Sequence, residues 1–282
     1  MNMNYYTFFF FILFVSAGVH SQKISCSPEN RSAVELKIGE IQQISTDVPG
    51  KTLVAIGKTF IGTPYIAKTL ETGPEETLVI DLKGLDCTTF VENVLALGLI
   101  KQNPNAGFDN FTQALEKIRY RDGNLNGYAS RLHYFTEWIA NNEAKGLIRD
   151  ITESLGGINT PKALHFMTGH RSLYQALEGE KTFQEMVIVE KSLVDQPYCV
   201  LPVEMLKKNE DMIRSGDIIA LATSIEGLDV THTGFAIRMP DDRIHLLHAS
   251  SSGAVEISDL PLVDYLKKIN KNTGVIVARP NF

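Results

Sequence analysis

The chain is poor in cysteine, with only Cys26, Cys87 and Cys199 among its 282 residues. Thiols this sparse exclude a disulfide scaffold and a four-cysteine zinc site. No long basic run occurs, and a formal charge of -6 with a pI near 5.7 argues against nucleic acid as the main partner. Internal repeats are missing, low-complexity tracts are missing beyond the leader, and no strong linker divides the chain. What remains, 44% hydrophobic and 21% charged, is the composition of an ordinary globular protein.

The extreme N-terminus lacks lysine and arginine, yet residues 8–15 form an unbroken apolar stretch followed by small residues up to Ser21. That pattern reads as a secretory signal cleaved after Ser21, and it is too short for a spanning helix. We therefore expect residues 1–21 to be a signal peptide. Residues 22–282 then form a single exported domain, periplasmic or extracellular, with no stable membrane span. Lipid anchoring through Cys26 is disfavoured, because Lys23-Ile24-Ser25 makes a poor lipobox. An odd number of cysteines in an exported chain leaves at least one thiol free, and a free thiol needs a reason to be there.

Residues 33–44 and 53–60 read as helical pieces around a turn at Pro49-Gly50, and residues 62–65 as a loop. From 88 to 100, apolar residues at 90, 91, 94, 95, 97 and 99 fit a mostly buried helix. Residues 128–141 read as a helix with Leu132, Phe135 and Ile139 on one stripe. Later the pattern changes: 217–221, 230–237, 244–249 and 275–278 read as strands. Helices first and strands later indicate an α+β domain in which the helix bearing Cys87 packs on an antiparallel sheet, with a helical insertion at about 104–210.

Cys87 follows a loop containing Gly84 and sits at the start of that helix. Unpaired N–H groups there favour the thiolate and offer donors to an oxyanion. By itself the segment is equally compatible with a buried, inert cysteine. In the strand 230–237, alternation puts His232, Gly234 and Ala236 on one face, and in 244–249 it aligns Ile244, Leu246 and His248. A hairpin centred on Pro240 places His232 directly opposite His248, the arrangement of a base and the group that orients its imidazole.

These residues carry a family resemblance. Asp86-Cys87-Thr88-Thr89-Phe90-Val91 resembles the nucleophile motif of NlpC-like, papain-fold cell-wall peptidases and amidases. Arg214-Ser215-Gly216-Asp217 resembles their Pro-Gly-Asp strand start, His232-Thr233-Gly234-Phe235 their base strand, and His248-Ala249-Ser250 the segment with their third catalytic residue. Tyr65 matches a tyrosine that positions the oxyanion in that family. The departures are Thr89 in place of the usual glycine, a more distant Tyr65, and over one hundred residues between helix and Gly-Asp strand. They resemble an N-acetylmuramoyl-L-alanine amidase-like subfamily, as do the segment Tyr128-Ala129-Ser130-Arg131-Leu132-His133-Tyr134 and the pair His170-Arg171. The resemblance implies a papain-like core and a cysteine amidase acting on peptidoglycan fragments, among them anhydro-muropeptides. It implies Cys87 as nucleophile, His232 as base, His248 as orienter, and Tyr65 and Thr88 near the oxyanion. No cofactor or metal is called for, and a monomer is expected.

Arg131, Tyr134 and Trp138 recur at helical spacing, so the insertion is a candidate substrate wall: arginine for a peptide carboxylate, aromatics for sugar. An ordinary helix face explains them equally well. Among other readings, Gly50-Lys51-Thr52 fails as a phosphate loop because Ser45 holds the first glycine position. A zinc site from His232, His245 and His248 is disfavoured, since His245 and His248 point to opposite faces of a strand. A stem-peptide endopeptidase cutting after D-glutamate and a non-catalytic wall-binding module remain as alternatives.

Overall fold

A sheet assembled mainly from the last third of the chain carries helices from the first third on one face. The computed structural model describes residues 24–46, 48–73, 75–194, 196 and 198–282; the expected signal segment lies outside them. A small parallel pair, β1 (Ile24–Ser25) with β2 (Leu78–Val79), stands apart from the main sheet. Helices α1 (Pro28–Ile41), α2 (Pro49–Lys58), α3 (Cys87–Ile100), α4 (Phe108–Arg119) and α5 (Phe135–Ala144) come first. Then follow β3 (Ile148–Asp150), β4 (Ile158–Asn159), α6 (Phe166–Gly169), α7 (Glu180–Ser192), β5 (Cys199–Pro202) and α8 (Val203–Lys208). The chain ends with β6 (Ile218–Thr223), β7 (Val230–Arg238), β8 (Ile244–Ala249), β9 (Val255–Ile257), α9 (Leu262–Lys268) and β10 (Asn272–Pro280). Strand order is β4-β5-β10-β6-β7-β8-β9, with β3 also on β10, and every pairing is antiparallel. The α+β expectation holds.

Both faces of the central strands are covered. Phe235, Leu247 and Ile276 face the core that contains α3, while Ala236, Leu246 and Val275 face a second core closed by α9. α3 is buried at eleven of its fourteen positions. Phe90 stands edge-on to Phe60 at 6.2 Å and to Phe235 at 5.8 Å. Each such contact adds about 0.5–1.5 kcal/mol beyond burial, so this ladder fixes α3, and with it Cys87, against β7. A nearly water-free ion pair, Arg119 Nε to Glu92 at 2.7 Å, ties α4 to α3.

Four expectations are corrected. Pro49-Gly50 is no turn; it starts α2, where proline is pre-organised for the first helical turn. Gly50 is needed there because a Cβ would lie 2.3 Å from the Ser215 carbonyl oxygen. The expected helix 128–141 is instead a 3-10 turn at Tyr128–Ser130, an extended stretch and then α5. Arg131 there pairs as a β-bridge with Tyr120, so Arg131, Tyr134 and Trp138 share no helical face. The segment 104–210 is not purely helical, since β3, β4 and β5 join the sheet; two to four residues are too few for alternation to show. Finally β10 runs well past the expected 275–278 at both ends.

The Gly-Asp segment is a structural clamp. Asp217 accepts the Arg214 N–H at 2.8 Å and a forked pair from Arg279 at 2.8 and 2.7 Å, locking β6 to β10.

Candidate active site

Asp86 caps α3. Its carboxylate accepts the Thr89 N–H at 2.8 Å, and Thr89 Oγ1 accepts the Asp86 N–H at 2.9 Å. This reciprocal box makes Cys87 the first helical residue and gives Thr89 a role that a glycine could not fill. Thr233 Oγ1 donates to the Cys87 carbonyl at 3.0 Å. The Thr233 N–H and hydroxyl and the Thr88 hydroxyl lie close enough to the sulfur to favour its thiolate. Thr233 lies beyond the last β7–β8 pair, Phe235 with Leu247, so the thiol rests against an unpaired edge of β7.

The helix start does not depress the thiol. Burial first, and the Asp86 carboxylate second, push Cys87 up to about 11, against the hydrogen bonds from Thr233 and Thr88. The cap that forms the helix also supplies the anion that opposes a thiolate.

His232 Nε2 and His248 Nδ1 are 2.6 Å apart. The register behind this contact differs from the expected one. Ala236 pairs with Leu246 and Arg238 with Ile244, so the hairpin centres on Asp241 rather than Pro240. The turn closes through Asp242 N–H to Met239 O at 3.0 Å, with Asp242 at φ 61°, a type I turn ending in a left-handed residue. His248 therefore falls opposite Gly234, and His232 is its diagonal neighbour on the same face. A Cβ on Gly234 would come within 2.9 Å of His248 Cβ; glycine leaves the space across which the two rings meet. Burial lowers His232 to about 3, helped by the neighbouring His248, and burial lowers His248 to about 4. Both rings rest neutral.

The Tyr265 ring packs edge-on against His248 at 5.5 Å. Tyr265 is raised by burial, then by Glu256 and by Cys87, so its phenol is within electrostatic reach of the sulfur from the histidine side of the sheet. Tyr65, held by its N–H to Gly253 O at 2.8 Å, is raised by burial, then by Cys87 and Asp86. Tyr65 and Tyr265, from distant segments, thus both lie within electrostatic reach of the sulfur. Sequence reasoning missed Thr233, beside the histidine, and Tyr265, on α9.

A cleft of about 580 Å³ opens beside Cys87, lined by Asp86 and Thr88. Lys68 and Glu71 form one wall, and Arg131, His133, Tyr174 and Glu178 another. The segment 104–210 thus supplies much of this cleft. Arg131 is not a free clamp: it is 5% exposed, ion-paired with Glu71, bonded to Leu70 O at 3.3 Å, and lies 4.8 Å over the Tyr128 ring. Tyr134 is corrected outright. At 1% exposure, it donates to Glu190 at 2.8 Å and accepts the Met167 N–H at 3.1 Å, inside a core that no sugar reaches. His245 is committed to Ser258 O at 2.7 Å on the face away from His248. All three cysteines are free.

The model of the AmiA-like family, N-acetylmuramoyl-L-alanine amidase-like, matches residues 55–275, a span that contains every group described around the sulfur. The chain belongs to this family. An N-acetylmuramoyl-L-alanine amidase from Bacteroides uniformis ATCC 8492 is 38% identical to this AmiA-like chain, covering 83% of it and 99% of the relative, at a TM-score of 0.79. A candidate xylanase from Bacteroides fragilis is 40% identical over 79% of this chain and 98% of its own, at a TM-score of 0.75. Protein LPG0564 from Legionella pneumophila, 21% identical over 90% of this chain and 95% of its own with a TM-score of 0.67, shares the fold. No curated protein matches.

Proposed function

We propose that this AmiA-like protein is an exported cysteine amidase with a papain-like, NlpC-type site that hydrolyses the N-acetylmuramoyl-L-alanine bond of peptidoglycan fragments, anhydro-muropeptides among them. The observation that carries the reading is the 2.6 Å His232–His248 contact, built beside the β7 edge against which the Cys87 sulfur rests. With both rings neutral and the thiol protonated, the base works during attack rather than in a standing ion pair. His232 takes the thiol proton as sulfur bonds to the lactyl carbonyl carbon. The oxyanion is met by N–H groups of the first α3 turn, which lack helical partners, and by Tyr65. Collapse breaks the C–N bond, and His232 returns the proton to the departing alanine amine. Water, deprotonated by His232, then cleaves the thioester to a carboxylate and restores the thiol. His248 holds the His232 tautomer throughout.

Glycoside hydrolysis would need two uncommitted carboxyl groups flanking the sugar bond. Of the cleft's carboxyls, Asp86 caps α3, Glu92 is paired with Arg119 and Glu71 with Arg131, so Glu178 meets no uncommitted second carboxyl there, which favours the amidase.

Cys87→Ala should abolish turnover of defined muropeptides while the melting temperature stays within a few degrees. Mass analysis of wild-type products should show free peptides beginning with alanine. Retained activity in the variant overturns the nucleophile, and shortened stems replace the amidase by an endopeptidase cutting after D-glutamate.

A further inference from the structure

The relay has an unfinished end. His248 is 1% exposed, and its Nε2 is buried with no hydrogen-bond partner among the described residues. The amidase reading, on which this inference rests, fixes the protons. If His232 accepts through Nδ1, its own proton sits on Nε2 and is donated to His248 Nδ1. The His248 proton must then sit on Nε2, the orphaned atom. A buried N–H donor without an acceptor costs about 1–3 kcal/mol, and an imidazolium formed at His232 finds no counter-charge in a neutral neighbour.

One carboxylate stands where an acceptor is required. The β8–β9 register pairs His248 directly with Glu256, which puts both side chains on one face, with Cβ atoms roughly 4.5–5.5 Å apart in such pairs. Glu256 is exposed and free to rotate. The other titratable groups here are His232 from β7, Tyr265 from α9 and, across the strand edge, Cys87 from α3. His232 and His248 are neutral bases at rest, and burial keeps the Tyr265 phenol and the Cys87 thiol protonated. Glu256 is the one carboxyl group of this set.

We propose that Glu256 is a positioning residue whose carboxylate accepts the His248 Nε2–H and extends the relay to Cys87, His232, His248 and Glu256. It acts through His248 and supplies the negative charge that a histidine orienter lacks. Tyr265, edge-on to the His248 ring at 5.5 Å, restricts its rotation. Because Glu256 is solvated, its effect is smaller than that of a buried orienting carboxylate.

The test compares Glu256→Gln and Glu256→Asp in the full chain with two readouts: muropeptide hydrolysis across pH, and iodoacetamide labelling of Cys87 followed by the mass of its peptide. The Gln variant should lower kcat about tenfold with KM nearly unchanged. Its acid limb in kcat/KM should move to lower pH, because imidazolium loses a counter-charge, and labelling at pH 7 should slow. Asp should restore part of each. Wild-type kcat, acid limb and labelling in the Gln variant overturn the proposal, as does a rise in KM alone, which would make Glu256 a substrate contact. Failure of the amidase reading would appear separately, as hydrolysis surviving Cys87→Ala, while labelling still reports on Glu256.

Discussion

Gly234→Ala should damage the site more than the fold. The new Cβ would lie 2.7 Å from the Leu247 carbonyl oxygen, 2.9 Å from His248 Cβ and 3.0 Å from Leu246 Cδ1. Carbon atoms pack at about 3.5–4.0 Å, so β8 must withdraw by about 0.6 Å or more. Added to the 2.6 Å His232–His248 contact, that carries the bond to about 3.2 Å, the edge of useful geometry. Overpacking of this size costs about 1–3 kcal/mol, or about 2–10 °C in Tm for a domain of this length. Losing an orienting hydrogen bond to a group that becomes charged costs about 1.5–3 kcal/mol of transition-state stabilisation, a kcat drop of about ten- to a hundredfold. Steady-state kinetics on a defined muropeptide, beside a thermal melt, separate the two effects. A variant with kcat within twofold of wild type would show that the diagonal histidine contact does not hold the base.

Arg119→Leu leaves Glu92 buried and unpaired, at a cost of about 3–5 kcal/mol, whereas Arg119→Leu with Glu92→Leu should recover most of the urea midpoint. Equal midpoints for the single and double variants would contradict this. The histidine pair also makes stability fall in acid. His232 and His248 are lowered to about 3 and about 4, below about 6.5 in the unfolded chain. Above pH 6.5 both states hold neutral rings and stability is full; as pH falls, the unfolded chain takes up protons first and stability drains away toward the folded values. The raised carboxyls Glu92 and Asp229 act in the opposite sense, but they are common to the protein and a histidine variant, so the histidine contribution is the difference in slope between the two from pH 6.5 to 5. Tm should fall across that window, and less in a His232→Asn, His248→Asn variant; an identical fall in both would reject the assignment.

The amino-acid order alone determined that a mostly buried helix starts at or near Cys87, since a sustained apolar run declares it; the Asp86–Thr89 cap that makes Cys87 its first residue came from the structure. That order also determined β8 and which face the two histidines share. Parity with period two survives a register slide of two residues, which is why a hairpin centred one residue off still brought His232 to His248. Tertiary structure decided what local pattern does not encode. The Met239–Arg243 turn set the true register. Burial and Asp86 raised the thiol that a helix N-terminus alone would have lowered. Arg131 was drawn into an ion pair with Glu71, and Tyr134 into a core with Glu190, although their spacing imitated an exposed helical face. Tyr265 and Glu256 reached the site only through α9 packing and β9 pairing. Periodicity reports which way a side chain points within its own element, whereas charge, exposure and partner depend on elements tens to hundreds of residues away.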